Sequence, residues 1–246
     1  MKVPFLSIVI PAYNEEARLL PSLQKIQDYL AGCDYDYELI VVSDGSSDRT
    51  AAAARSWCPV GFPLSVIDRK ENRGKGYTVR EGFERARGRY VLFSDADLST
   101  PIEEVEKLLP FFPEGYDMVI GSRSLRESRI LVHQPPHREL MGKIFNRLVR
   151  TLTVGGLSDT QCGFKCFSQP AVRKVFPLCR IDGFAFDVEI LYLARKLGLR
   201  IKEVPIRWID SPRSTINPLG DSIRMFRDVL QVRLNDWKGK YRNKER

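Results

Sequence analysis

Asp95 and Asp97, separated by one alanine, follow directly on the apolar run Tyr90–Phe93. That run is short, bounded and rich in strand formers, and it reads as a buried strand. Thr100 then opens a helix, since Pro101 suits a first helical position and Glu103 stands where a capping-box partner belongs. Two carboxylates therefore lie at the carboxyl end of a buried strand, the edge at which open α/β sheets place their ligands. Alternate residues of an extended segment project to one side, so both can reach one divalent cation. A hard cation such as Mg2+ takes one or two carboxylates and completes its shell with water and phosphate oxygens. The plainer alternative makes both aspartates ordinary loop and capping residues, and the rest of the chain has to decide between the two.

The elements that must position them can be read in order. Leu6–Ile10 is a strand, followed by Pro11-Ala12-Tyr13-Asn14-Glu15-Glu16 and a helix to about residue 30. Leu39–Val42 is a second strand ending in Ser43-Asp44-Gly45-Ser46-Ser47-Asp48. A helix through the alanines at 51 to 54, a strand near Leu64–Ile67, the turn Asn72-Arg73-Gly74-Lys75-Gly76 and a helix over Tyr77–Ala86 lead to the central strand. This alternation predicts a mainly parallel sheet covered by helices. Three strands thus deliver polar clusters at one edge: Tyr13 to Glu15, Asp44 to Asp48, and Asp95 to Asp97. Turn chemistry alone accounts poorly for all three. No GxGxxG follows the first strand, and residues 72–78 lack the glycine spacing of a P-loop.

At 246 residues, 43% hydrophobic and 28% charged, the chain has globular composition. No apolar stretch reaches the length of a membrane span, and the amino terminus enters a strand too soon for a signal peptide. Five cysteines without metal-type pairing suggest free thiols, and Cys162 and Cys166 match a zinc pattern poorly. A cytoplasmic protein is expected. The net charge of +8 is uneven: seven Arg or Lys against two Glu between Gly121 and Arg150, and twelve basic against six acidic residues from Arg200 onward. Such clusters point to an anionic partner or simply to a solvated basic face. A nucleic-acid module would leave Asp95 and Asp97 unexplained, and no nucleic-acid motif accompanies the charge.

Taken in order, PAYNEE, DGSSD, NRGKG and DADL resemble the nucleotide-sugar-binding half of family-two glycosyltransferases, over about the first 120 residues. The resemblance implies an α/β A-type glycosyltransferase fold: a Rossmann-like nucleotide-binding sheet with covering helices, followed by a carboxyl-terminal acceptor-binding part. It implies that Pro11, Ala12, Tyr13 and Glu15 line the nucleoside pocket and that Asp44 faces the base. Asp95 then lies near ribose and diphosphate, Lys75 belongs to the donor site, and Asp97, assisted by Asp95, holds Mg2+ or Mn2+.

In the second half, Asp117–Ile120 is a strand, Gly121-Ser122-Arg123 leads into a long basic loop, and His133 to His137 cannot continue a helix. A helix from Arg138 to about residue 152 would carry Leu140, Ile144, Leu148 and Leu152 on one face, and Gly155 and Gly156 end it. GSR, DTQCGFK and FDVE resemble the dolichyl-phosphate β-glucosyltransferase branch, and the similarity runs on through EVPIRW and a helix from Asp221 to about Trp237. The chain is thereby read as one glycosyltransferase domain, residues 1–120 binding the nucleotide sugar and 121–246 the acceptor. Two departures stand out. The eukaryotic members carry an amino-terminal membrane anchor that has no counterpart here. Ser99 stands where the related mannosyltransferases have a Gln in the metal site, which disfavours a mannose donor.

The implied reaction is inverting transfer of a hexose, glucose from UDP-glucose, to a polyprenyl or dolichyl phosphate, by an enzyme peripheral on the cytoplasmic face of a membrane. The basic segments around Arg126–Arg150 and beyond Arg224 are its expected contact surfaces. Arg213 can close on the donor diphosphate, and Arg123 and Arg138 suit an acceptor phosphate through the arginine fork. Gln161 and Asp159 shape the sugar or acceptor pocket by resemblance. A phosphate monoester, with second pKa about 6, needs no general base at pH 7; a hydroxyl acceptor does. Asp187 is then the candidate base, against the plainer reading that it caps the helix carrying Ile190, Leu191 and Leu193. Transfer to a glycan or protein hydroxyl, and a mannosyltransferase-like enzyme using GDP-mannose, remain the alternatives. A processive synthase is excluded because Arg207-Trp208 lacks the preceding Gln and membrane helices are missing.

Overall fold

The computed structural model describes residues 2–132, 147, 149, 153–210 and 218–242. Its strands are β1 (Leu6–Ala12), β2 (Tyr37–Ser43), β3 (Leu64–Asp68), β4 (Tyr90–Ser94), β5 (Met118–Ser122), β6 (Arg129–Val132), β7 (Phe164–Ser168), β8 (Ile201–Pro205) and β9 (Arg207–Ile209). Its helices are α1 (Glu16–Leu30), α2 (Thr50–Trp57), α3 (Lys75–Arg85), α4 (Gln169–Val175), α5 (Phe186–Lys196) and α6 (Pro218–Trp237). Seven strands form one sheet in the order β3-β2-β1-β4-β7-β5-β8. All pairs are parallel except those made by β7, which runs antiparallel between β4 and β5.

β1, β4 and β5 are buried along their whole length, as strands covered on both faces must be. Their alternation assigns each residue to a layer. Ile8 and Ile10 pack with Leu19, Leu23 and Ile26 of α1, whereas Val9 packs with Val79 and Phe83 of α3. α4, α5 and α6 extend the second layer through Val172, Leu191 and Val229. The chain winds outward from β1 through β2 to β3, then crosses back to place β4 on β1's other side. Strand order reverses there, and the crevice outside the carboxyl ends of the two strands at such a switch point is where an open α/β sheet takes its ligand.

Two local expectations are corrected. Thr100 and Glu103 form no capping box: Pro101 precedes a 3-10 turn over Ile102–Lys107 without a side-chain cap, and Glu104 is the buried acid, holding Arg207 and Lys107. The basic loop after Arg123 contains β6, which pairs in parallel with β9 as a small second sheet. The mainly parallel sheet takes in one antiparallel strand, from the segment that begins in DTQCGFK. Of the helix expected from Arg138, Arg147 and Val149 are described, both helical, with Val149 buried; Arg138, His133 and His137 lie outside the described residues.

Candidate active site at the carboxyl edge of the sheet

Pro11 and Ala12 are the last residues of β1 and are buried, while Tyr13 stands out into solvent. Among the described residues the only non-glycine left-handed residues are Asn14 (φ 53°) and Leu98 (φ 48°). They sit just beyond β1 and β4, the two strands that flank the crevice, and such strain concentrates at functional sites. The Asn14 side-chain oxygen accepts from the Ser47 amide at 2.8 Å, locking the β1 and β2 loops together. Glu15 is turned onto Arg18, which donates to it through Nε at 2.7 Å and Nη2 at 2.5 Å. Burial raises the Glu15 carboxyl, against the pull of Arg18, and the nearby Asp97 charge pushes the same way.

Asp44 accepts from the amides of Arg73 (2.8 Å) and Gly74 (2.9 Å) and from the Arg69 guanidinium. Its carboxylate thus moulds the Asn72–Gly74 turn. On the far side of that turn the Gly76 amide donates to Asp182 O at 2.8 Å. Gly74 has φ 95°, and a Cβ there would lie 2.4 Å from Asp182 O, so only glycine fits. Clamped from both sides, the turn starts α3 and delivers Lys75 Nζ to Asp95 Oδ1 at 2.6 Å. Burial would lower the Lys75 ammonium, but Asp95 and Asp187, with a smaller contribution from Asp97, outweigh it and raise its pKa.

The segment from Asp95 is not extended. Leu98 N donates to Asp95 O at 3.1 Å, closing a turn, so this turn and not strand alternation sets the relation of the two carboxylates. Asp97 Oδ1 accepts from the Ser99 amide at 3.0 Å, and Arg18 Nη1 stands 3.8 Å from Oδ2. Asp95 lies flat on the backbone at Gly163, whose carbonyl accepts from the Asp95 amide at 3.2 Å. A Cβ on Gly163 would come 1.8 Å from Asp95 Oδ2.

Behind this pair is a second one. Lys165, 0% exposed, points from β7 into the layer of α5 and donates to Cys162 O and Asp187 Oδ1, both at 2.5 Å. Asp187 is not a helix cap: it is the second residue of α5, whose cap position is Ala185 with no side-chain bond. Burial raises the Asp187 carboxyl, opposed by Lys165 and Lys75. Asp95, Lys75, Asp187 and Lys165 thus alternate in sign from the crevice into the core, and Asp97 leaves a net negative charge at the mouth.

Arg123 follows β5, and its Nε (2.7 Å) and Nη2 (2.9 Å) lie on Asp159. Burial would raise the Asp159 carboxyl, but Arg123 outweighs it and holds the pKa down at about 2. Asp159 Oδ1 also accepts from the Gln161 amide at 3.1 Å, and Glu203 receives the amides of Ser158 and Asp159 at 2.8–2.9 Å. The fork expected for an acceptor phosphate is therefore engaged on one edge by an internal acid. Arg213 lies outside the described residues. Lys165, Gly163, Arg18 and Glu203 were not singled out from the sequence. A lysine between Phe164 and Cys166 in an apolar strand was the available signal, because a buried ammonium requires a partner.

Among the described residues no group of three or more His, Cys, Asp or Glu side chains is placed to hold a metal ion. Asp95 and Asp97 fit a hard cation that takes most of its ligands from a bound diphosphate and water, and not a cation caged by protein.

An open α/β sheet with paired carboxylates and a lysine at its switch point has the architecture of an A-type, nucleotide-sugar-dependent glycosyltransferase. The chain belongs to glycosyl transferase family 2, whose model matches residues 7–176. Among its relatives, the dolichyl-phosphate beta-glucosyltransferase of Mus musculus is 37% identical, covering 98% of this chain and 78% of the relative. The enzyme of the same name from Dictyostelium discoideum is 36% identical over 95% of this chain and 76% of its own. In structure, the glucosyl-3-phosphoglycerate synthase of Mycobacterium tuberculosis, solved with Mn2+, UDP-glucose and phosphoglyceric acid, superposes with a TM-score of 0.71. It is 20% identical, over 94% of this chain and 79% of that one, and the likeness establishes the shared fold.

Proposed function

We propose that this glycosyltransferase transfers glucose from UDP-glucose to a dolichyl or related polyprenyl phosphate, with inversion and with Mg2+ or Mn2+. The observation that carries the reading is the convergence of Asp95, Asp97 and Lys75 at the β1/β4 crevice, in a chain whose relatives share one named activity over nearly its whole length. A divalent cation on Asp97 and Asp95 would neutralise charge developing on the leaving diphosphate. Lys75, held between Asp95 and Asp187, supplies a fixed positive charge beside it. Pro11, Ala12, Tyr13, Glu15 and Asp44 form the wall for the nucleoside, Asp44 by shaping the 72–74 turn.

Arg123 meets an acceptor phosphate beside the edge that Asp159 leaves, and Asp159 and Gln161 shape that pocket; Arg138 and Arg213 are proposed to serve acceptor and donor phosphates respectively. Because a phosphate acceptor is already dianionic near neutrality, Asp187 acts in this reading as the counter-charge that steadies Lys75. A hydroxyl acceptor is the second reading, and the buried carboxylate of Asp187 is what favours it. Access to a lipid acceptor is proposed to be peripheral, on the cytoplasmic face; among the described residues no helix is long and apolar enough to cross a membrane.

The test is product analysis with UDP-glucose, UDP-galactose and GDP-mannose, each offered with dolichyl phosphate, a short polyprenyl phosphate and hydroxyl-bearing glycans. Glucosylated lipid phosphate is the expected product. Transfer confined to hydroxyl acceptors, with an inactive Asp187→Asn enzyme, would replace the first reading by the second.

A further inference from the structure

α6 is apolar on two opposite sides. Val229 and Val232 are fully buried against the body of the protein. Leu230 (40% exposed), Leu234 (44%) and Trp237 (83%) fall at i, i+4 and i+7 on the other side. At about 100° per residue these three lie within some 60° of one another, with Val232 roughly opposite and Val229 about 110° round from the centre of the stripe. Among the described residues nothing covers this second stripe: Leu230, Leu234 and Trp237 stay open while the first stripe is buried. A contiguous Trp/Leu stripe is not explained as scattered surface hydrophobicity.

The charges of the helix are sorted in the same way. Two of its acids, Asp228 and Asp236, face the protein. Asp236 binds Tyr192 at 2.6 Å and also holds Lys196, and Asp228 Oδ2 lies against Gly183. Arg224, Arg227 and Lys238 are exposed, and Arg227 and Lys238 border the open stripe by helical position. Trp and Leu flanked by Arg and Lys is the composition of a helix lying in the headgroup layer of an anionic bilayer. The Trp ring suits that depth, apolar in body with one polar N–H.

We infer that the Leu230–Leu234–Trp237 face of α6 is the surface by which the enzyme docks on an anionic membrane. This deepens, and rests on, the lipid-phosphate reading above. Docking by this helix also orients the site. Asp228 abuts the Gly183 loop, and the neighbouring Asp182 carbonyl holds the turn that carries Lys75. The carboxyl end of α6 is tied to α5 by Tyr241, whose hydroxyl donates to Glu189 at 2.5 Å. The helix on the bilayer is thus in contact with the loops that frame the crevice.

The experiment uses the full chain and vesicles of phosphatidylcholine with or without phosphatidylglycerol. The wild type is expected to sediment with the anionic vesicles, less so as salt rises, and to have its Trp237 fluorescence quenched by brominated lipid. Leu230→Gln, Leu234→Gln and Trp237→Gln together keep helix-forming residues and should lower vesicle binding about tenfold or more. The same triple variant should keep wild-type transfer to a short water-soluble polyprenyl phosphate and lose transfer to long-chain acceptor in vesicles. Arg227→Gln with Lys238→Gln should flatten the salt dependence. Unchanged vesicle binding by the triple variant, or bound protein in which Trp237 is not quenched, overturns the inference. So does a wild-type dimer that the triple variant converts to monomer, since the stripe would then be covered by a second copy. A wild type that binds vesicles but glucosylates no lipid phosphate would sink the acceptor reading and leave the docking surface standing.

Discussion

Replacing Gly163 by alanine isolates the contact on which the placement of Asp95 depends. Gly163 has no positive φ, so alanine is not disfavoured by the backbone; the obstacle is Asp95 itself. The new Cβ would lie 1.8 Å from Oδ2 and 2.4 Å from Cγ, where contacts under 3.0 Å are essentially never seen, so the carboxylate must retreat by about 1.2 Å. That displacement exceeds what the 2.6 Å bond to Lys75 can absorb. Overpacking of this kind costs about 1–3 kcal/mol, which is a fall of roughly 2–12 °C in Tm for a chain of this size. A misplacement of about 1 Å in catalytic geometry costs on the order of a hundredfold in rate, or about 2.7 kcal/mol in the barrier. The assay is steady-state glucose transfer with a thermal melt, against Gly32→Ala as control, since a Cβ there would meet only Tyr29 O at 3.6 Å. We expect kcat/KM to fall about a hundredfold with the fold retained. A Gly163→Ala enzyme with wild-type turnover would show that Asp95 need not be held where the structure places it.

Lys165→Met should destabilise the protein by about 3–5 kcal/mol, because it leaves the Asp187 carboxylate buried without its ammonium. Lys165→Met with Asp187→Asn should recover much of that loss, and an unchanged melt in the single variant would refute the buried pair. Asp97→Asn should keep the fold and cut turnover steeply, and EDTA should do the same to the wild type, reversibly with Mg2+ or Mn2+; full activity in thoroughly chelated protein would rule out the metal. Asp159 titrates in the folded state at about 2 against an ordinary 3.8. A depressed carboxylate stabilises above its unfolded pKa and loses that contribution as pH falls through its folded one. The Arg123–Asp159 pair should therefore contribute about 2 kcal/mol that disappears between roughly pH 4 and pH 2. Denaturant midpoints measured over that range should converge for wild type and Asp159→Asn, and curves that stay parallel would refute the assignment.

Periodicity and punctuation carried most of the first half. The buried runs at Leu6, Leu39 and Tyr90, each ending in a polar cluster, were legible as strands because they are continuous, short and closed by turn residues. Their shared edge followed from the parallel winding that intervening helices impose. The Asp95–Asp97 pair and the glycine turn before Lys75 were readable from those local patterns, and the glycosyltransferase family from the resemblance carried by PAYNEE, DGSSD, NRGKG and DADL as a set. Local pattern misled where a neighbour distant in sequence decided the outcome. Asp187 looked like a helix cap until Lys165, 22 residues earlier, reached its carboxylate. Arg123 looked like an open fork until Asp159, 36 residues on, filled one edge of it. β6 read as a basic loop because its pairing partner, β9, lies far along the chain, and no periodicity within four residues can announce a partner.

The residue types at the crevice were thus determined by the sequence alone; which of them touch was not. An ion pair or a close glycine contact depends on positions in space that the chain reaches only after the sheet has closed and β7 has entered it between β4 and β5. Burial then turns those contacts into strong ones, by removing the water that would otherwise compete for each charge.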